Sequence, residues 1–226
     1  MYQLLQPFLL SFIAGFLPVL IWLWFLEHED KNPEPKKLTL YAFLSGMLSV
    51  LLVIPLQLVV NYLDDRTLVI VIWAFIEEAV KFLTVYIFVL RRIDNDEPID
   101  SVMYLIACAL GFAALENALY LLGPLRSGDV AQALITGNFR FMGATLLHVV
   151  SSSIIGVALA LSYFKDQGTK RVSVLFGLVG ATLLHTFFNL SIIIDDGSKA
   201  IISFFTVWIA LIVLLLFFEK IKKLRN

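Results

Sequence analysis

The sequence predicts an all-α, polytopic membrane protein with about seven transmembrane helices around a buried polar site. Hydrophobic residues make up 60% of the 226 residues, charged residues only 15%, and the mean hydropathy is +0.89. Soluble domains are far less apolar than this. Apolar runs of about 20 residues, the length that crosses a bilayer as a helix, follow one another along the chain. Ionisable side chains interrupt several of these runs.

Composition and charge argue against several other classes of protein. The net charge is −1, so no basic field supports binding to nucleic acid. The single cysteine, Cys108, lies inside an apolar run and excludes an internal disulfide framework and a cysteine-based zinc site. Neither a Walker loop for phosphate nor the glycine pattern of dinucleotide-binding folds occurs.

The predicted spans follow directly from the apolar runs. In chain order they cover residues 5–26, 39–62, 68–90, 101–122, 141–164, 173–194 and 199–218. Because the connections are short, we expect residues 1–226 to form a single integral membrane domain. Residues 127–137 fit either a short interfacial helix or a loop, and the sequence leaves that choice open.

The orientation of the spans is predicted by the lysines and arginines of the loops, which concentrate on the cytoplasmic side. Twelve lie in the first, third and fifth loops and the C-terminal tail: Lys31, Lys36, Lys37, Arg91, Arg92, Lys165, Lys170, Arg171, Lys220, Lys222, Lys223 and Arg225. Four lie in the other loops: Arg66, Arg126, Arg140 and Lys199. The count predicts an extracytoplasmic N-terminus and a cytoplasmic C-terminus.

Three charged residues, Glu77, Glu78 and Lys81, lie in the middle of the third span. A charge near the centre of a bilayer costs roughly 2.5–3.5 kcal/mol on insertion scales. Paired carboxylates at that depth must face a protein interior or a wet cavity. We therefore interpret this segment as part of a functional site.

Three later spans carry further ionisable residues, namely Glu116, His148 and His185. When the spans alternate in direction, these residues and Glu77 all lie roughly 9–14 Å below the outer edge, at 1.5 Å per helical residue. Four spans would seldom share one depth by chance. The sequence thus predicts a single site in the outer half of the membrane.

Helical spacing gives each of these residues close neighbours, because positions three or four apart share one face. Lys81 can therefore neutralise either Glu77 or Glu78 and leave the other carboxylate for chemistry. The same spacing joins Glu116 to Tyr120, with Asn117 beside them, and joins His185 to Asn189. Each polar residue taken alone is also compatible with an interhelical hydrogen bond that only holds a bundle together.

Carboxylates and imidazoles at one depth form a set that can activate water. With a metal, His148, His185 and one glutamate, for which we name Glu116, would make a three-ligand zinc site with an open position, and another glutamate would act as the base. Without a metal, a glutamate would activate water directly. His185 and Asn189 would then stabilise the developing oxyanion. No His-Glu-x-x-His helix is present.

The order of these motifs resembles that of the PrsW family of intramembrane proteases, in the wider group with the CAAX prenyl endopeptidases and bacteriocin-processing enzymes. The resemblance covers about residues 70–190. The residues that carry it are Glu77-Glu78-x-x-Lys81, Gly111-Phe112-x-x-x-Glu116-Asn117-x-x-Tyr120, Phe139-Arg140 followed by His148, and His185-x-x-x-Asn189. It implies an enzyme of the bacterial cell membrane with a catalytic core at about residues 68–194.

The resemblance also implies a substrate and a set of roles. The expected reaction is cleavage of a membrane-anchored protein, such as an anti-sigma factor, on the extracytoplasmic side, with zinc or with no cofactor. The expected catalytic residues are Glu77, Glu78, Glu116, His148, His185 and Asn189, supported by Lys81, Asn117, Tyr120 and Arg140. Glu77 is the expected water-activating base, because the family motif places the first glutamate of the pair there. The bilayer is the other expected partner, and no nucleic acid is expected.

A proton- or ion-coupled transporter is the main alternative function, since buried glutamate and histidine chains also build proton relays. That function predicts inverted repeats with broken helices, and the sequence contains none that we can detect. A seven-helix receptor is a weaker alternative. A substrate-holding pseudoenzyme is a further one, which a cleavage assay would distinguish.

Overall fold

The computed structural model describes residues 2–29, 35–193 and 200–224, and these residues form helices without any strand. The helices are α1 (Tyr2–Glu29), α2 (Lys36–Val60), α3 (Arg66–Val85), α4 (Asp100–Arg126), α5 (Val130–Phe139), α6 (Leu146–Leu161), α7 (Gln167–Ile193) and α8 (Ala200–Ile221). A π-helical turn, Tyr86–Leu90, extends α3, and another, Arg140–Thr145, joins α5 to α6. The predicted all-α fold is confirmed.

Six helical segments of the described chain are long and apolar enough to cross a membrane. They are Leu5–Phe25, Lys36–Val60, Asp100–Arg126, Val130–Leu161, Gln167–Ile193 and Ala200–Ile221. Helix α3 with its π-helical turn is of similar length, but Glu77, Glu78 and Lys81 make it too charged to be recognised by composition. Each of the seven predicted spans coincides with one of these helical segments. The chain is therefore an integral membrane protein.

The fifth predicted span, residues 141–164, differs from the structure at its start. The chain is helical from Val130 to Leu161, because the π-helical turn carries it from α5 into α6 without a break. Most of residues 127–137 are therefore helix and not loop. Arg140, which the charge count placed in a loop, lies inside this continuous helix. Lys31, Lys199 and Arg225 from the same count lie outside the described residues.

Helix α4 is the centre of the bundle, and most of its side chains are buried from Asp100 to Leu121. Its contact with α2 is a backbone contact. A Cβ added at Gly46 would overlap the carbonyl oxygen of Cys108, and one added at Gly111 would overlap the carbonyl oxygen of Phe43. Small residues allow this approach, which is how helices associate where lipid removes the hydrophobic driving force. The pair of glycines holds α2 against α4.

The outermost helices present large apolar side chains to their surroundings. On α8, Ile201 is 70% and Leu216 is 66% exposed, and on α1 Trp24 is 61% exposed. Such a surface would be an aggregation hazard in water, but it matches the acyl chains of a bilayer.

Acidic side chains cap the N-termini of α3, α5 and α7. Asp65 accepts hydrogen bonds from the backbone amides of Thr67 and Leu68 at the start of α3. Asp129 does the same for Gln132 in α5, after a turn in which Gly128 has a positive φ of 77°. Asp166 accepts from the amide and the hydroxyl of Thr169 in the first turn of α7. These hydrogen bonds hold the pKa of Asp166 below its ordinary value.

Candidate active site

Helix α3 turns its charged residues inward. Glu77 is 6% exposed, and Glu78 and Lys81 are completely buried. They face α7, which carries His185, and α6, which carries His148. Burial of charges is tolerable only where partners replace the lost water. The partners of each group therefore define what it is free to do.

Glu78 is fully occupied by partners. Its Oε1 lies 2.6 Å from Lys81 Nζ and 2.8 Å from His185 Nδ1. Its Oε2 accepts a hydrogen bond of 2.8 Å from Ser152 Oγ on α6. A carboxylate with three donors is held in one orientation and neutralised, so Glu78 positions its neighbours.

Glu77 has one occupied oxygen and one unoccupied oxygen. Gln57 Nε2 on α2 donates to Glu77 Oε1 at 2.8 Å. Glu77 Oε2 is buried and has no hydrogen-bond partner among the described residues. It lies 3.5 Å from His185 Nε2 and 4.0 Å from His148 Nδ1. A buried carboxylate oxygen without a donor is costly, so a proton, a water molecule or a cation is expected beside it.

His148 connects α3 to α4. Its Nε2 lies 2.9 Å from Glu116 Oε2, and its Nδ1 lies 3.2 Å from Lys81 Nζ. The Phe112 ring packs against the imidazole at 4.9 Å, and the His185 ring lies edge-on at 5.1 Å. Because carboxylates only accept, the nitrogen of each histidine that faces Glu116 or Glu78 carries the proton. The other nitrogen of His185 then faces Glu77 as an acceptor, and the other nitrogen of His148 accepts from Lys81 and also lies near Glu77.

Arg140 closes the side of the site next to α4. Its Nη2 lies 2.5 Å from Glu116 Oε2, its Nε donates to Asn117 Oδ1 at 2.7 Å, and its guanidinium lies 3.9 Å from the centre of the Tyr120 ring. Asn117 Nδ2 donates in turn to Thr145 Oγ1 at 3.0 Å. Arg140 and Thr145 are the two ends of the π-helical turn, so that turn aims both of them at Asn117.

The structure thus brings together most of the residues that the sequence singled out. One network contains Glu77, Glu78, Lys81, Glu116, Asn117, Tyr120, Arg140, His148 and His185. Asn189 is the exception: it is only partly buried, and no hydrogen bond joins it to His185 in the described part of the chain. Gln57 and Ser152 are two further members: the sequence reasoning missed Gln57, and it noted Ser152 one helical turn from His148 without counting it among the site residues. A lone amide in the apolar run of α2 was the available signal for Gln57.

The acceptor atoms of Glu77, His148 and His185 all lie within 4.8 Å of one another and are buried. They fit a metal ion, because two imidazoles and a carboxylate are common ligands for zinc and similar ions. Each histidine also has a carboxylate on its other nitrogen, Glu116 or Glu78, which is the usual support of a metal-bound imidazole. The sequence named Glu116 as the carboxylate ligand; in the structure Glu77 occupies that place, and Glu116 pairs with Arg140.

A bundle of membrane helices around a buried set of carboxylates and histidines defines the class of this chain as an integral membrane protein with a site that can activate water. A sequence model described as PrsW family intramembrane metalloprotease matches residues 34–217. The chain belongs to the PrsW family and is therefore an intramembrane protease. No solved structure matches it.

Curated relatives named Protease PrsW agree with this assignment. The relative from Clostridioides difficile is 24% identical over 81% of this chain and 79% of its own length. The relative from Bacillus subtilis is 27% identical over 76% of this chain and 78% of its own length. The relative from Geobacillus kaustophilus is 35% identical over 54% of this chain, and that alignment spans 56% of the relative. These relatives place the protein among integral membrane proteins of bacteria.

Proposed function

We propose that this protein cleaves a membrane-anchored protein substrate by means of a water molecule that Glu77 activates. The observation that carries the proposal is the unoccupied Oε2 of Glu77, aimed at the acceptor nitrogens of His148 and His185. Every other carboxylate of the network is already paired: Glu78 with Lys81 and Glu116 with Arg140. Among the described residues, Glu77 Oε2 is the buried carboxylate oxygen without a partner that faces both imidazoles, so we assign it to take a proton from water.

The division of roles follows from these contacts. Glu77 Oε2 accepts the proton of the attacking water and returns it to the leaving amine, while Gln57 fixes the other oxygen. Glu78 and Glu116 hold the imidazoles of His185 and His148 in one tautomer. Arg140 and Lys81 supply positive charge near the oxyanion that forms during attack. We also propose, on the sequence alone, that Asn189 helps to stabilise this oxyanion.

Zinc is the metal that we propose for the site. Glu77, His148 and His185 would hold the ion, which would supply Lewis acidity to water and to the scissile carbonyl. The Lys81 ammonium lies 3.2 Å from His148 Nδ1, so a bound ion would require this ammonium to turn wholly toward Glu78. In that case Glu77 would act on the water through the ion that it holds, whereas without a metal its Oε2 would accept the proton directly.

The location of the reaction is a further part of the proposal. The lysine and arginine count supports an extracytoplasmic N-terminus, a cytoplasmic C-terminus and a site in the outer half of the bilayer. A single membrane domain, with its catalytic core at about residues 68–194, would cut the substrate near the extracytoplasmic surface. A single-pass regulatory protein of the anti-sigma-factor kind fits that position. A relation to the CAAX prenyl endopeptidases is proposed on the order of the shared motifs.

Co-expression in bacteria with a tagged single-pass substrate tests the function. An anti-sigma-factor-like protein carrying one tag on each side of the membrane should yield a shortened fragment that retains the cytoplasmic tag and the transmembrane helix. Mass spectrometry of this fragment should place the cut on the extracytoplasmic side. A cut on the cytoplasmic side would contradict the proposed orientation, and an uncut panel of such substrates would contradict the proposed substrate class.

Metal removal is a separate prediction. Zinc should copurify at about one ion per chain and be lost in His185→Ala, because one of three ligands is then gone. Cleavage by the purified protein should stop with a chelator and return with added zinc. If chelators leave cleavage intact and no metal copurifies, the proposal of a zinc site is wrong, and the direct action of Glu77 on water remains the proposed mechanism.

A further inference from the structure

A second polar cavity of the fold lies at the C-terminal end of α3. A cavity of about 530 Å³ opens between the π-helical turn after α3, the end of α6 and the start of α7. Its mouth carries Arg91, Lys170 and Arg171, and its interior is lined by Phe82, Leu159 and Val174. Phe82 lies nine residues before Arg91, so the lining of the cavity extends roughly 13 Å along the helix axis at 1.5 Å per residue.

The three cations at this mouth have no acidic partner. Among the described residues, none of them forms an ion pair; Arg91 lies 6.0 Å from the centre of the Tyr86 ring and Lys170 lies 5.2 Å from that of Tyr163. Acidic residues also lie near this mouth: Asp96, Glu97 and Asp100 act electrostatically on Tyr163, and Asp166 is engaged by Thr169. Because none of these carboxylates pairs with the three cations among the described residues, an anion bound at the mouth would gain three direct partners.

The combination of charges and apolar depth selects the kind of anion. Basic pockets between transmembrane helices bind the phosphate groups of anionic lipids, and tyrosines favour the same interfacial level. The apolar interior below the cations matches an acyl chain, whereas a free anion would leave it empty. We propose that this cavity is a binding site for one anionic phospholipid, with its phosphodiester at Arg91, Lys170 and Arg171 and an acyl chain along Phe82 and Val174.

A neighbouring groove shows what distinguishes this site. The groove of about 310 Å³ between α2 and the same π-helical turn has Arg92 at its end. Arg92 is the single cation that lines this groove, and its Nε donates to the Phe88 carbonyl at 2.7 Å. The groove therefore offers apolar surface with one cation, whereas the cavity at α7 combines apolar surface with three cations.

Lipid titration followed by native mass spectrometry tests the proposal on delipidated, full-length protein. Phosphatidylglycerol should bind as one tight equivalent, and phosphatidylcholine of the same acyl chains should bind at least about tenfold more weakly. The triple variant Arg91→Gln, Lys170→Gln, Arg171→Gln should lose about tenfold or more in affinity for phosphatidylglycerol. The matched control Lys165→Gln, Lys220→Gln, Lys223→Gln removes the same charge from exposed positions outside the cavity and should bind normally.

A steric variant gives a second, independent test that leaves all cations in place. Val174→Trp fills the apolar interior and should abolish tight binding, whereas Val172→Trp, on the exposed face of the same helix, should not. Unchanged binding in Val174→Trp or in a folded triple variant would overturn the proposal. Equal binding of phosphatidylcholine, or displacement of the lipid by inorganic phosphate or by a soluble acidic peptide, would also overturn it. None of these measurements depends on proteolysis, so failure of the proposed cleavage reaction would leave their outcome intact.

Discussion

Replacement of Glu77 by glutamine is expected to lower the rate of cleavage by about 100- to 10,000-fold, while the protein remains folded. A general base contributes a factor of this size, and an amide cannot accept the proton of the attacking water. The amide of the variant retains an oxygen for Gln57 Nε2, so the helix packing around it should persist. The initial rate of substrate cleavage and the melting temperature of the purified variant are the measurements.

Glu97→Gln is the matched control for this change. It makes the same substitution in the exposed loop that follows α3, away from the network, and should keep full activity. Full activity in Glu77→Gln would refute the role of Glu77 as base. Total loss in a folded Glu78→Gln variant as well would contradict the division of roles, since Glu78 is expected to position and not to react.

Replacement of Lys81 by methionine is expected to destabilise the fold by about 3–5 kcal/mol, because it leaves Glu78 as a buried charge without its cation. Lys81 and Glu78 are both completely buried and 2.6 Å apart. The double variant Lys81→Met, Glu78→Gln should recover part of that loss, since it removes both charges together. Unfolding monitored in detergent gives the free energy of each variant and the coupling between the two residues.

Lys222→Met supplies the control for Lys81→Met, because Lys222 and Glu219 form an ion pair with the same spacing at the exposed end of α8. Its effect should stay within about 1 kcal/mol, as surface ion pairs contribute little. Equal destabilisation by the two methionine substitutions would show that burial of the Lys81 pair does not matter. A double variant no more stable than Lys81→Met would place the cost in lost packing instead.

The sequence predicted the membrane fold and the convergence of the four spans because both follow from strong signals. Long apolar runs determine where helices form, and a buried charge such as Glu77 must meet a partner on another helix. The shared depth of Glu116, His148 and His185 was enough to bring them together. Those arguments use only the rise of a helix and the direction of the chain.

Other parts of the site could not be predicted from the sequence, because they depend on how each helix is rotated about its own axis. Gln57 and Ser152 are neutral residues of the kind that usually only join helices, so their positions in the sequence did not identify them as partners of the glutamates. The π-helical turn at Arg140–Thr145 has no sequence signal of its own, and therefore the start of the fifth span was misplaced. Which glutamate lies between the two histidines was equally a question of rotation: Glu77 does, whereas Glu116 pairs with Arg140 and with the far nitrogen of His148.

The paired and unpaired groups of the network have a consequence for its total charge. Three carboxylates, those of Glu77, Glu78 and Glu116, face two cationic side chains, those of Lys81 and Arg140. With both imidazoles neutral, the cluster therefore carries a net charge of −1. Surroundings of low polarity penalise that imbalance. When Glu77 takes a proton from water, the surplus negative charge moves to the attacking oxygen and then to the oxyanion, so the proposed reaction moves a charge within the cluster and adds none to the membrane interior.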